Sequence, residues 1–309
     1  MALKQTGFVE LPRHMKPGGF DHAAVHRATG RAYIAHTAND ALDVLDCKED
    51  HYLCSIPGLT GVAGALVSEE EGLIFTSNRG EGTVGILAAD THDKIDKVAV
   101  GLHPNGLAYA PSHGLLLAAN VGDPDIAGSH TVSMVDVRAK RLVAETPVPG
   151  RTRWAVYDAG SEVFYINIAA PAQIVLIDAR RPAQLAGVLD VPVPGPHGLE
   201  LDSEAGCLYC ACDGKALLAL ELRSGRVLAE AALTGVPDVV FHNPALGHIY
   251  VAIGDPGVVE VFDSPTLVRS QVLPTEPGAH TLAFDPDRHK VYALLPQTHR
   301  AAVYVDAPD

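Results

Sequence analysis

Short apolar segments separated by turns containing Gly, Asp or Pro run from one end of the chain to the other, a pattern that predicts many short strands joined by tight connections. One unit recurs. It consists of a short apolar strand, a turn, a second strand opening on an aromatic residue, a loop, a third strand ending near Asp, and a fourth strand running into Pro or Gly. When the residue that begins each first strand is taken as an anchor, the anchors are Asp21, Ala63, Asn105, Arg153, His197, Asp238 and His280, spaced by 42, 42, 48, 44, 41 and 42 residues. Twelve positions after each anchor stand Tyr33, Phe75, Leu117, Tyr165, Tyr209, Tyr250 and Tyr292, six of seven aromatic in a chain with 6% aromatic residues, so the repeat is not a chance coincidence.

Units of 41 to 48 residues with four strands each are the signature of propeller blades. The sequence therefore predicts an all-β fold, a seven-bladed β-propeller of four-stranded blades forming a single domain over residues 1–309. The last unit has room for only three strands, while an orphan strand at Gly7 to Leu11 precedes the first anchor. That orphan supplies the missing outer strand, so the N-terminal strand completes the last blade and closes the ring. A closed ring hides its own strand edges, which predicts a monomer or weak homo-oligomer. The third strands repeat as well, ending at Asp46, Asp136, Asp178, Asp263 and Asp306, where Asp is expected to cap the following turn.

The second strands read Y-I-A-H at Tyr33, F-T-S-N at Phe75, L-A-A-N at Leu117 and Y-V-A-I at Tyr250, and this resembles the YVTN repeat of YncE-like seven-bladed propellers over nearly the whole chain. One blade opening, H-P-N-G-L-A-Y-A-P at His103 to Pro111, resembles the SMP-30 and gluconolactonase group of metal-dependent lactonases. That resemblance implies a metal-binding role for Asn105 and an acidic-ligand role for Asp238, although Asp21 stands where the group's glutamate would be. The G-P-H-G opening at Gly195 to Gly198 is similar to that of the streptogramin lyases, another seven-bladed group.

Composition narrows the partners. With 23 Lys plus Arg against 37 Asp plus Glu, the net charge is −14 and no basic run appears, which disfavours nucleic acid and acidic membrane surfaces. The first ten residues hold no apolar run long enough for a signal sequence, and no stretch of about eighteen apolar residues exists to span a bilayer, so a cytoplasmic protein is expected. The five cysteines fit reduced thiols. Cys207, Cys210 and Cys212 fall on one predicted strand, where Cys207 and Cys210 point to opposite faces and cannot share an ion, so they are expected in the core.

The loops entering the first strands of a propeller gather at one mouth of its channel, so the anchors should form a ring there. Beside them stand His22 and His103, and fifteen positions after the anchors the second strands leave at the same mouth, bringing His36, Asn78 and Asn120. The pattern suggests a divalent metal held by His197, Asp238 and His280, completed by His22 or Asp21. Imidazole with carboxylate suits Zn, Mn, Fe or Ni, with Mg and Ca as further candidates. Metal-bound water would attack a carbonyl, His103 or Asp21 would move the proton, and Arg153 would orient an anionic group. Asn105, Asn78, Asn120, His36 and the only tryptophan, Trp154, would line the substrate. No G-x-S-x-G, P-loop or G-x-G-x-x-G occurs, which disfavours serine hydrolases, nucleotide-driven enzymes and dinucleotide dehydrogenases. The function expected is a metal-dependent enzyme of lactonase, hydrolase or lyase type acting on a small carbonyl or lactone-like molecule. The alternative is a non-catalytic YncE-like propeller binding a protein or small ligand on its top face.

Overall fold

In the computed structural model, which describes residues 3–92 and 94–307, seven four-stranded antiparallel sheets stand around one axis. Their inner strands are Ala23–His26, Val62–Ser68, Pro104–Ala110, Thr152–Asp158, Pro196–Asp202, Pro237–Asn243 and Leu282–Asp285, which we number as blades one to seven. Each inner strand packs against the next all the way round, blade seven against blade one included. The strand that closes the ring is Leu3–Glu10, longer than the predicted orphan. It pairs antiparallel with Arg300–Asp306, from Leu3 opposite Asp306 to Glu10 opposite Arg300.

The aromatic position of the repeat has a physical purpose. Tyr33, Phe75, Tyr209, Tyr250 and Tyr292 are fully buried between blades, where a ring removes more apolar surface from water than any aliphatic side chain. Several also bond across the blade junction at their tips. Tyr33 Oη donates to the Ala89 carbonyl at 2.9 Å, Tyr292 Oη to Asp50 Oδ1 at 2.6 Å, and Tyr250 Oη to Asp306. The strand-end aspartates cap their turns as expected at Asp46, Asp136 and Asp178, which accept backbone N–H groups two or three residues on. Asp306 departs from this, because its carboxylate is taken by His248 and Tyr250 of the neighbouring blade.

The cysteines are unpaired thiols, and Cys207, Cys210 and Cys212 are buried in the second strand of blade five. Cys207 packs into the core shared with blade six, while Cys210 and Cys212 face the core on the other side of the sheet, their sulfurs 3.8 Å apart. The strand alternation predicted this separation.

At the mouth the inner strands of five blades lose regular register near their first residues, for instance between Pro196 and Gly198 and between Pro237 and Val240. Such bulges re-aim a side chain, and here they turn anchors toward the axis. Glycine follows the anchor where blades come closest. A Cβ on Gly106 would lie 2.4 Å from the Arg153 carbonyl oxygen, and one on Gly198 would lie 2.5 Å from the Asp238 carbonyl oxygen. The P-N-G and P-H-G openings thus have an architectural cause: only glycine lets the next anchor approach.

Candidate functional site

Four anchors meet at the mouth. His197 of blade five donates from Nδ1 to Asp213 Oδ1 at 2.7 Å, and its Nε2 lies 3.1 Å from Asp238 Oδ1 of blade six. The other oxygen of Asp238 accepts from Nδ1 of His280, blade seven, at 2.7 Å. A chain Asp213–His197–Asp238–His280 results, with imidazoles and carboxylates alternating. Arg153 of blade four joins it, Nη1 at 3.1 Å from His197 Nε2 and Nη2 at 3.3 Å from Asp213 Oδ2.

Electrostatics follow from this order. Burial alone would lower the pKa of His197, but its bonds to Asp213 and Asp238 outweigh that and push it up to about 9. Burial would raise Asp238, yet the two imidazoles hold it well below the usual carboxylate range. His280 is raised, since Asp238 overcomes the effect of its own burial, and Asp213 is lowered by His197 despite desolvation. The proton on His197 resolves a competition at Nε2, because two carboxylates outweigh one guanidinium, so Nε2 donates to Asp238 and the Arg153 contact is one between cations. The His280 side chain is 39% exposed, and Nε2 makes no hydrogen bond to a described residue.

Asp21 and His22 belong to the same neighbourhood with different electrostatics. Burial raises Asp21 and lowers His22, whose Nε2 is 3.4 Å from Asp21 Oδ1. Arg79 comes within 3.9 Å of Asp21, and Arg151, its pKa lowered by burial, feels the charges of Arg153 and Arg79. A protein of net charge −14 therefore gathers three guanidiniums and two raised imidazoles at one opening. His103 sits on the Arg79 side of this mouth, exposed, with Nδ1 3.0 Å from the Gly122 carbonyl oxygen. Asn105 turns its backbone carbonyl to Ser77 Oγ at 2.7 Å, and its Oδ1 is buried without a partner among the described residues.

The expectation that His36, Asn78 and Asn120 line the mouth is corrected. All three are fully buried inside their blades. His36 Nδ1 is 2.7 Å from Asp43 Oδ2, Asn78 donates to Thr83, and Asn120 donates to Thr131 and Ser133. The reason is strand parity: one position later the side chain turns to the opposite face. The residues sixteen positions after the anchors include Arg79 and Asp213, two groups at the mouth that the sequence did not single out, as it did not Arg151. Counting sixteen instead of fifteen would have found the first two.

The donor set does not fit a metal as it is arranged. An ion between His197, Asp238 and His280 would need His197 Nε2, which faces Asp238 at 3.1 Å with the Arg153 guanidinium equally near, and His280 Nδ1, which already donates to Asp238. A guanidinium at the point of coordination opposes a dication. Among the described residues no group of three His, Cys, Asp or Glu is placed to hold an ion.

Below the mouth the channel is a second space. His22 and Trp154, from blades one and four across the axis, have ring centroids 4.0 Å apart and both border a cavity of about 650 Å³ that all seven inner strands line. Among the described residues no helix is long and apolar enough to cross a membrane.

No protein-family model matches this chain, and no curated protein matches it. Among solved structures it is similar to a chain in the crystal structure of the mitotic checkpoint complex, at TM-score 0.82 and 11% identity, over 99% of this chain and 92% of that one. At that identity the likeness shows the propeller fold alone. Folds of this kind carry many unrelated functions, so function has to be argued from the mouth.

Proposed function

We propose that the mouth is the active site of an enzyme of hydrolase or lyase type, acting by general acid–base catalysis on a small anionic molecule with a carbonyl or lactone group. The observation that carries this reading is the sharing of Asp238 by two imidazoles, with a guanidinium beside one and a free nitrogen on the other. Asp238 fixes the ring of His280 through Nδ1 and leaves Nε2 to give or take a proton. Asp238 raises the pKa of His280 against the effect of its burial, which favours the protonated ring as the first proton donor, and the ring serves as base after losing that proton. His197 and Arg153 form a fixed pair of cations, suited to a substrate carboxylate or to the oxyanion or enolate that develops on a carbonyl. Asp213 holds both in place.

This reading routes no step through a metal. Incubating the purified protein, after metal analysis, with a panel of carboxylated lactones and esters tests it. Turnover should persist in chelator and fall about 10²–10⁴-fold in His280→Gln, with Asp238→Asn close behind. Turnover that needs stoichiometric bound Zn²⁺, Mn²⁺, Fe²⁺ or Ni²⁺, or that survives His280→Gln, overturns the assignment.

A second reading has its own observation. Met15, Leu102, Ile126 and Val236 are exposed on loops of the mouth face, at 78, 42, 50 and 48%. A partner protein seated there would cover them, and the similar chain comes from a protein assembly. Absence of turnover together with a complex lost in Val236→Asp favours it.

A further inference from the structure

The cavity beneath the mouth is lined by His22 but by none of the four residues of the acid–base chain above it. One residue level repeats along the inner strands: opposite the aromatic position of each second strand stand Ala24, Leu66, Ala108, Val156, Phe241 and Ala283, and in blade five Glu200, all but Ala283 bordering the cavity. Six blades are apolar at this level and one carries a carboxyl. Glu200 has no ion-pair partner among the described residues, and its only hydrogen bond is from the backbone N–H of Leu201 at 3.3 Å. Burial raises its pKa to about 8.

A carboxyl in such a place is a cost to folding unless something uses it. The remaining charges near the cavity do not. Burial lowers the pKa of His22 and of His242, which disfavours a charge on either wall histidine. Arg27 at the lower rim is spent on Asp287, with Nε 2.9 Å from Oδ1, and Glu69 and Glu70 stand at the same rim. Aliphatic side chains and five aromatic ones line the rest. Trp154 closes the top, Phe241 and Phe284 pack 6.2 Å apart, and Tyr157 holds a buried hydroxyl with no partner among the described residues.

The geometry points to a binding site in this lower chamber for a small organic cation with an apolar body, its charge placed at Glu200 and its body against Trp154, Phe241 and Phe284. A cation beside Glu200 would supply the opposite charge that lets the carboxyl give up its proton, and aromatic faces attract cations beyond simple burial. The volume, about 650 Å³, lies within the ~300–1,000 Å³ of small-molecule pockets. An acidic rim would favour entry of a cation over an anion.

Benzyltrimethylammonium and its uncharged isostere neopentylbenzene test the assignment, with emission of Trp154, the only tryptophan, as a reporter in the chamber wall. The cation should change that emission with a dissociation constant below about 1 mM, and Glu200→Gln should weaken it at least about tenfold while leaving the neutral isostere unchanged. His280→Gln should bind the cation as the parent does, which separates this site from the mouth. Glu200→Leu, which fills the position with the apolar character of the other blades, should lose the cation and keep the isostere. An unchanged Trp154 signal at 10 mM cation, or equal binding by parent and Glu200→Gln, overturns the proposal.

Discussion

The two ends of one channel solve the same problem in opposite ways. At the mouth, His197, Asp238 and Asp213 are taken out of water as a connected chain in which every charge has an opposite neighbour, and the pKa values split apart, the imidazole up and the carboxylates down. A few residues further along the same inner strand of blade five, Glu200 has no counter-charge, and burial pushes it up instead. Burial acts on both sites alike. What differs is the presence of a close hydrogen-bonded partner, so between Asp238 and Glu200 the direction of the shift follows pairing, whereas at Asp21, whose partners His22 and Arg79 stand 3.4 and 3.9 Å away, burial still wins. Pairing keeps charges in place for chemistry at the mouth, and the lack of it leaves the lower chamber waiting for a charge from outside.

Removing the shared partner is the hardest test of this contrast. Asp238→Ala takes from His280 the carboxylate on its Nδ1 and leaves His197 with Asp213 alone, and should destabilise the fold by about 3–5 kcal/mol in urea unfolding. Glu200→Leu removes a carboxyl that pairs with nothing and should stabilise by about 1–2 kcal/mol above pH 8. Equal and small effects at the two positions would show that both carboxylates are adequately hydrated, and the comparison would collapse.

The pH dependence should sharpen it through two windows that are offset and overlap only between pH 6.5 and about 8. Glu200 has a folded pKa of about 8 against an ordinary 4.5, so the folded state holds its proton longer and the stability this confers, complete below 4.5, is lost as pH rises toward 8. His197 has a folded pKa of about 9 against 6.5, so its contribution is complete below 6.5 and is lost as pH rises through 9. Each window should be worth about 2–3 kcal/mol after allowance for relaxation and residual exposure. Subtracting the stability curve of Glu200→Gln from that of the parent should give a slope confined to the lower window, and His197→Gln a slope confined to the upper one. Coincident windows would mean that the two sites are electrostatically one.

What could be read from the residues was the part that repeats. The anchors, the aromatic position twelve residues on, the closing strand and the split of the cysteines over two faces all follow from period and strand alternation. The meeting of His197, Asp238 and His280 follows as well, because consecutive blades bring equivalent positions together. Alternation also punishes a one-residue slip, which is why His36, Asn78 and Asn120 fell into the blades while Arg79 and Asp213 went unnoticed. Glu200 was legible in principle, as the single polar residue at a level where six blades are apolar. The His22–Trp154 contact was not, since it joins blades one and four across the axis and depends on how wide the channel is, a quantity that no local pattern encodes.

The smallest expected effect asks whether pairing matters in itself or only where water is excluded. Arg27 and Asp287 join blades one and seven at the lower rim with good geometry, Nε and Nη2 both on Oδ1 at 2.9 and 2.5 Å. Their side chains are 55 and 41% exposed, against 16 and 21% for His197 and Asp238. In high dielectric the attraction is weak, and ordering two long side chains offsets most of it, so Arg27→Ala should cost no more than about 0.5 kcal/mol and less still in high salt. An effect near that of Asp238→Ala would show that the rim is as dry as the mouth, and the difference between the two ends would have to be sought in something other than access to water.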